Sequence, residues 1–387
     1  MKKIGLYIHI PFCKRKCYYC DFVSYCNKDN LIEEYIKYLK QELREVAKEM
    51  EFNFKYNDGE KIVVDTIYIG GGTPSYIDCN YIVDIMNEIY KNYNLDLKEV
   101  TIEVNPKTVN AEKLKAYKKA GINRLSIGMQ ETNDEILKKI GRIHTYSDFL
   151  HTYKTARDVG FENINIDVMI GLPGQSIRNV EETINKVIEL NPEHISLYSL
   201  ILEENTKLYE LVKNKEITLE TDEIERRMYH STRKNLNRNG YKQYEISNFS
   251  KKGYESKHNL NCWNQNEYIG FGVASHSYTD NIRYSNIESI EQYIENYKQN
   301  KQENNIIFHE KQNKKSKMME YIMLNLRKIK GINICEFKKV FKEDVMNIFG
   351  EKISKLHNQK LIKISRSNIA LTIKGLDLAN IVWQEFV

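Results

Sequence analysis

The sequence predicts an α/β fold: a partial (β/α)6 barrel followed by a small C-terminal α/β domain of winged-helix-like order. Three observations predict it. Six β-rich apolar runs alternate with helix-periodic segments over about the first 200 residues, the pattern of a parallel sheet with right-handed crossovers. Each run ends in a glycine-rich or polar cluster, where parallel strands gather functional residues. The last 70 or so residues change pattern, reading as three helices, a hairpin and a final helix. Six units are too few for a closed eight-stranded barrel, so a curved, partly open one is expected.

The elements follow in order. Residues 5–10 read as a strand that enters a cysteine loop, and residues 31–50 as a long charged helix. Residues 62–69 form a β-rich run before Gly70-Gly71-Gly72-Thr73-Pro74, and a helix is expected at 80–90. Strand 99–104 ends at Asn105-Pro106, with a helix near 111–120. Strand 124–129 ends at Gln130, with helices near 134–140 and 146–159. Strand 163–170 precedes Gly171-Leu172-Pro173-Gly174 and a helix through 190; strand 194–200 is the sixth. Helix 220–239 leaves the pattern, residues 240–283 show little periodicity, and the polar stretch 299–317 reads as a linker. Helices are expected near 318–326, 334–341 and 345–357, a hairpin over 361–371 and a helix after Gly375. Three domains are expected: a barrel at 1–215, an extension packing on it at 216–300, and a C-terminal domain at 301–387.

Composition narrows the function. The 387 residues are 41% hydrophobic and 29% charged, enough apolar content for large cores. Lys+Arg exceed Asp+Glu by 58 − 53 = +5, too weak a surplus for a nucleic-acid stripe. No apolar window approaches the length of a membrane span, and the basic N-terminus has no leader-like apolar run or cleavage site. A cytoplasmic protein is expected.

Seven cysteines, mostly far apart, make a poor disulfide framework. Three are close: Cys13-x3-Cys17-x2-Cys20, with Lys14, Arg15 and Lys16 between the first two. Charged neighbours argue against ordinary core thiols and for metal ligation. The residues alone leave two readings, an iron–sulfur cluster or a zinc site completed by His9. Gly70, Gly71 and Gly72 end a strand, where bare backbone can approach a ligand and offer N–H groups to it. Glu103 and Asn105 are polar at another strand's end, and a carboxylate there suits paired hydroxyls. Cys26, Cys79 and Cys335 read as ordinary thiols.

Tyr7-Ile-His-Ile-Pro-Phe-Cys13-x3-Cys17-x-Tyr19-Cys20 resembles the cluster motif of radical S-adenosylmethionine (SAM) proteins. It resembles most the branch that holds oxygen-independent coproporphyrinogen III oxidase and the HemW-like haem-chaperone subgroup. Gly70 to Pro74, residues 102–106, 126–130, Gly141-Arg142 and 167–174 fit that branch in the expected order. So do His258-Asn259-Leu260-x-x-Trp263, Gly270-Phe271-Gly272 and Leu324-x-Leu326-Arg327. The resemblance implies a radical-SAM barrel with a HemN-like C-terminal domain. It implies a [4Fe–4S] cluster on Cys13, Cys17 and Cys20, with the fourth iron open to SAM. It assigns Gly71, Gly72 and Thr73 to the methionine end of SAM and Glu103 to the ribose. Tyr7, Gln130, Arg142 and Asp167 complete the SAM contacts, Arg142 on the carboxylate and Asp167 on a sugar hydroxyl. Tyr19 packs near the adenine.

The sequence departs from the oxidase in two places. The oxidase carries a further cysteine two residues beyond its third ligand, where this chain has Phe22, and only six residues precede Tyr7. The HemW-like subgroup reads Cys-Asp-Phe, as in Cys20-Asp21-Phe22. The resemblance therefore implies a haem chaperone that binds haem, a cluster and SAM and passes haem to an acceptor protein. Oxidative decarboxylation of coproporphyrinogen III is the alternative. His258 is the candidate haem ligand and Trp263 a stacking neighbour. Cys262 stands where the subgroup has Tyr and is a rival ligand, with His276 a second candidate. The implied partners are a haem acceptor, which could be membrane-associated, and an electron donor such as flavodoxin or ferredoxin.

Overall fold

The computed structural model describes residues 1–56 and 61–386. Six strands run in parallel: β1 (Lys2–Ile10), β2 (Ile62–Gly71), β3 (Leu95–Val104), β4 (Arg124–Gln130), β5 (Ile164–Ile170) and β6 (His194–Ser199). Between and after them run α1 (Ile32–Tyr56), α2 (Cys79–Asn92), α3 (Ala111–Lys119), α4 (Asp134–Lys139), α5 (Tyr146–Asp158), α6 (Ile177–Leu190), α7 (Lys207–Lys213) and α8 (Asp222–Arg238). Every residue of β4 is buried, as expected of a parallel strand covered on both faces. The helices start where the sequence supplies caps. Asp78 accepts from the Asn80 N–H at α2, and capping boxes at Thr145/Asp148 and Ser176/Asn179 open α5 and α6.

The aperiodic stretch after α8 holds short elements: β7 (Lys242–Gln243), β8 (Asn248–Ser250), α9 (Lys257–Trp263), β9 (Tyr268–Phe271), β10 (His276–Thr279), β11 (Ile282–Asn286) and α10 (Ile290–Lys298). Strands of two to five residues are too short to print a period. The expected linker is corrected too. Within it, β12 (Ile306–Lys311) pairs antiparallel with β11. All six of its residues are exposed, so this edge strand lacks the burial alternation that would have marked it.

Together these strands form one twelve-stranded mixed sheet, ordered β12-β11-β10-β9-β1-β2-β3-β4-β5-β6-β8-β7. Its main core fills the space between the parallel strands and their helices. A second apolar core, spanning Met318 to Phe386, belongs to the C-terminal elements. These are α11 (Lys314–Leu326), β13 (Ile332–Asn333), α12 (Ile334–Phe341), α13 (Val345–Asn358), β14 (Ile362–Ile364), β15 (Asn368–Leu371), α14 (Ile373–Asp377) and α15 (Ala379–Gln384). Their three strands make a small antiparallel sheet, β13-β15-β14.

Two features tie the C-terminal elements to the main sheet. The Ile246 N–H donates to Arg327 O and the Ile329 N–H to Tyr244 O. The Arg327 guanidinium lies 4.4 Å from the Trp263 ring and 5.4 Å from Trp383, and 3.7 Å from the buried Glu245 carboxylate. At its other end α9 is held to the middle of the sheet. Ser256 Oγ and the backbone N–H groups of Lys257 and His258 all donate to the buried Glu99 carboxylate of β3. A carboxylate at a helix N-terminus answers both the free N–H groups and the helix dipole.

Candidate functional site

A cavity of about 440 Å³ opens at the C-terminal ends of the parallel strands. β2 brings Tyr68 and Gly71 to it, with Gly72 just beyond, β3 Glu103, β4 Ser126, Gly128 and Gln130, β5 Asp167 and Met169, and β6 Tyr198. The loop after β1 adds Cys13, Cys17, Tyr19 and Cys20. Residues from widely separated parts of the chain therefore meet because each ends a parallel strand.

The three thiols face this cavity from one loop. Cys13 Sγ lies 3.3 Å from Thr73 Oγ1, and Cys17 Sγ 3.5 Å from Arg142 Nη1. Cys20 N–H donates to Cys17 O at 3.2 Å, closing the turn between the last two. Burial pushes the Cys20 thiol up to about 11, with the Cys17 charge adding to it. Bound iron would displace these protons, since thiolates are the ligands. Among the described residues no three His, Cys, Asp or Glu side chains are already gathered as a metal-ligand set, the three cysteines included. His9 is committed elsewhere. Its Nδ1 accepts from Tyr7 OH at 3.0 Å and its Nε2 donates to Val23 O at 3.0 Å, fastening the loop to β1. Burial lowers its pKa to about 4.

The glycine run works through space, not through free donors. A Cβ on Gly72 would sit 3.0 Å from Cys13 Sγ and 3.0 Å from Phe12 O. Gly71 has φ +114°, and a Cβ there would meet the His9 ring at 2.8 Å. The N–H groups expected to face a ligand are already used. Those of Gly72 and Thr73 donate to Ile10 O and Phe12 O, and that of Gly71 donates to Glu103 Oε2.

Glu103 also accepts from Tyr68 OH at 2.9 Å. Open to the cavity on one side and enclosed elsewhere, its carboxyl is pushed up to about 7 by burial, and nearby Asp167 adds to the rise. Burial also raises Asp167, which accepts from Asn165 Nδ2 at 2.7 Å. Arg142 donates to Asn105 Oδ1 at 2.5 Å and to Gly128 O at 2.6 Å. Burial opposes its charge, but Cys17, Tyr19 and Asp167 around it hold its pKa above the usual range. Two buried polar atoms of the lining, Gln130 Oε1 and Arg142 Nε, have no protein partner. A polar ligand in the cavity would satisfy them.

Most of the expected residues thus come together: Cys13, Cys17, Tyr19, Cys20, Gly71, Gly72, Thr73, Glu103, Gln130, Arg142 and Asp167. Tyr7 stands behind them, its ring stacked 6.2 Å from Tyr68. His258 is the departure. The structure does not bring it to the cavity. It is 5% exposed, its Nδ1 is hydrogen-bonded to Thr66 Oγ1 at 3.1 Å, and its ring packs 5.4 Å from Tyr68. Burial lowers its pKa to about 4. Trp263 stacks on Arg327, and burial pushes the Cys262 thiol up to about 12. The segment that carries His258 and Trp263 packs between the strands and the C-terminal elements. Tyr68 and Tyr198 were not anticipated. The alternation Thr66-Tyr68-Gly70 along β2 was the one signal that Tyr68 shares a face with the glycine run.

The family model described as the radical SAM superfamily matches residues 7–187, and that of the HemN C-terminal domain matches 312–378. The chain is 37% identical to the heme chaperone HemW of Bacillus subtilis, covering 98% of each. It is 36% identical to the heme chaperone HemW of Lactococcus lactis, covering 100% of this chain and 98% of that one. Among solved structures, coproporphyrinogen III oxidase (HemN) from Escherichia coli superposes with a TM-score of 0.84 at 22% identity. It covers 100% of this chain and 90% of that one, a likeness of fold. The chain belongs to the radical SAM superfamily. Within it, the chain is a member of the HemN/HemW-like family, HemW subgroup included. Membership implies use of SAM and a [4Fe–4S] cluster.

Proposed function

We propose that the chain is a haem chaperone built on the radical-SAM fold, binding haem, a [4Fe–4S] cluster and SAM and handing haem to an acceptor protein. The observation that carries this is similarity over nearly the whole length to heme chaperones HemW at 36–37% identity. Cys13, Cys17 and Cys20 would hold the cluster. Gln130 and Arg142 would turn their unpartnered atoms to SAM, and Glu103 and Asp167 would take its hydroxyls. Bound and reduced, the cluster and SAM supply one-electron chemistry. The chain's residues position them, and the apolar lining excludes water.

Haem would be seated at the cavity mouth. Phe22 and Ile201 stand 67% and 68% exposed there, with Tyr198 and Leu200 beside them, an apolar surface suited to a macrocycle. Exposed Lys14, Arg15 and Lys16 would answer the propionates. The oxidase reading lacks its further cysteine, since Phe22 occupies that position. The test is an anaerobic incubation of the reconstituted, reduced protein with SAM and coproporphyrinogen III. The chaperone reading expects the tetrapyrrole to be recovered unchanged. Conversion to protoporphyrinogen IX would replace it with the oxidase reading.

A further inference from the structure

Cys26 is not one of the three motif cysteines, yet the fold returns it to them. The loop leaving β1 doubles back so that Phe12 and Tyr25 form a parallel bridge. The Tyr25 N–H donates to Pro11 O at 2.7 Å, and the Cys13 N–H to Tyr25 O at 2.9 Å. One step beyond this bridged pair stand Cys13 and Cys26. The bridge itself joins only Phe12 and Tyr25, but chains held in that register lie about 4.8 Å apart across the hydrogen bonds, and each cysteine is the next residue along. That spacing is within the roughly 4.4–6.8 Å Cα range of a disulfide.

The pair is asymmetric. Cys13 is 7% exposed, whereas Cys26 is only half-buried. Lys14, Arg15 and Lys16 are all exposed beside it, a cationic approach for a small anionic molecule.

We propose that Cys26 is the disulfide partner of Cys13 in the cluster-free protein, and that a small anionic disulfide of the glutathione class installs the bond. This rests on the reading of Cys13, Cys17 and Cys20 as cluster ligands. In the loaded protein Cys13 is held by iron and Cys26 remains a thiol. Without the cluster, the more accessible Cys26 thiolate attacks one sulfur of the small disulfide, forming a mixed disulfide and releasing one thiolate. Cys13 thiolate then attacks the Cys26 sulfur and releases the second. Two protein thiols are oxidised, one small disulfide is reduced to two thiols, and the protein's two protons pass to the released thiolates or to solvent. The product lacks one of its three cluster ligands, so loading waits for reduction.

The test uses the full-length, cluster-free protein, reduced, freed of reductant and exposed to oxidised glutathione. Peptide mapping by mass spectrometry without reduction should find Cys13 joined to Cys26. The oxidised wild type should lose most of its iron and sulfide uptake and regain it on treatment with dithiothreitol. C26S, treated alike, should load without added reductant, and C79S should behave as wild type. Crosslinks confined to Cys13, Cys17 and Cys20, or equal loss of loading in oxidised C26S, would overturn the proposal. So would failure of reduced C26S to load, which would make Cys26 a requirement of the site instead of its lock. Failure of the reduced wild type to take up iron and sulfide would instead remove the cluster reading itself, so the two are separable.

Discussion

At the scale of single residues, the cavity holds a few buried groups whose protonation the fold shifts. Glu103 titrates near 7 because burial disfavours its charge. Its folded pKa lies above the unfolded value, so between about pH 4.3 and 7 the folded chain holds a proton that the unfolded chain has released. Stability therefore falls as pH rises through that window, by about 1–3 kcal/mol from this group, given its opening to the cavity. E103Q should flatten that slope in urea melts run from pH 5 to 8. If the carboxylate binds the ribose hydroxyls, SAM should bind more tightly at pH 8 than at pH 6 and release a proton. Calorimetry in buffers of different ionisation enthalpy reads this, and E103Q should abolish it at a cost of about 1.5–3 kcal/mol, roughly 10- to 150-fold in affinity. Equal affinity at both pH values would place the ribose elsewhere. Gly72 gives a second prediction. G72A puts a Cβ 3.0 Å from Cys13 Sγ and from backbone, so iron and sulfide content after reconstitution should drop sharply. G350A meets nothing within 4 Å and lies inside helix α13, so it should load fully and be neutral or about 0.5–1 kcal/mol more stable.

At the scale of elements, the parallel strands were legible because each is an apolar run ending at a motif. Glu103, Gln130 and Asp167 could be read as strand-end residues before any coordinates. Helix α9 was not legible. Its partners Glu99 and Thr66 lie more than 150 residues away in sequence, and no local period announces such contacts. A histidine beside a tryptophan reads naturally as a haem site, whereas His258 faces Thr66 and Tyr68, and Trp263 faces Arg327. For the glycine motif, local sequence cannot tell that Ile10 O and Phe12 O already take the N–H groups of Gly72 and Thr73. The chain has two tryptophans, Trp263 and Trp383, and both flank Arg327. Tryptophan fluorescence therefore reports this one joint. R327A should shift the emission and lower stability by about 1–3 kcal/mol, through lost cation–π contact and a buried Glu245 left without its cation. Unchanged emission would mean the joint is not held by this stack.

At the scale of the molecule, one sheet of twelve strands carries a cavity of mixed lining at one end of its parallel strands and a second core docked through α9. No helix among the described residues is long and apolar enough to cross a membrane. The mouth beside the thiols has exposed apolar and cationic groups, and the proposal seats haem there. The measurement that tests this most directly is an anaerobic optical titration of haem into the cluster-loaded protein, run on wild type, H258A and the double variant F22D/I201D. The account predicts saturation near one haem per chain in the wild type, a similar spectrum and affinity in H258A, and at least about tenfold weaker binding in F22D/I201D, from the loss of apolar contact worth roughly 1.5–3 kcal/mol. Saturable binding that disappears in H258A but persists in F22D/I201D, or no saturable binding in the wild type, would contradict it.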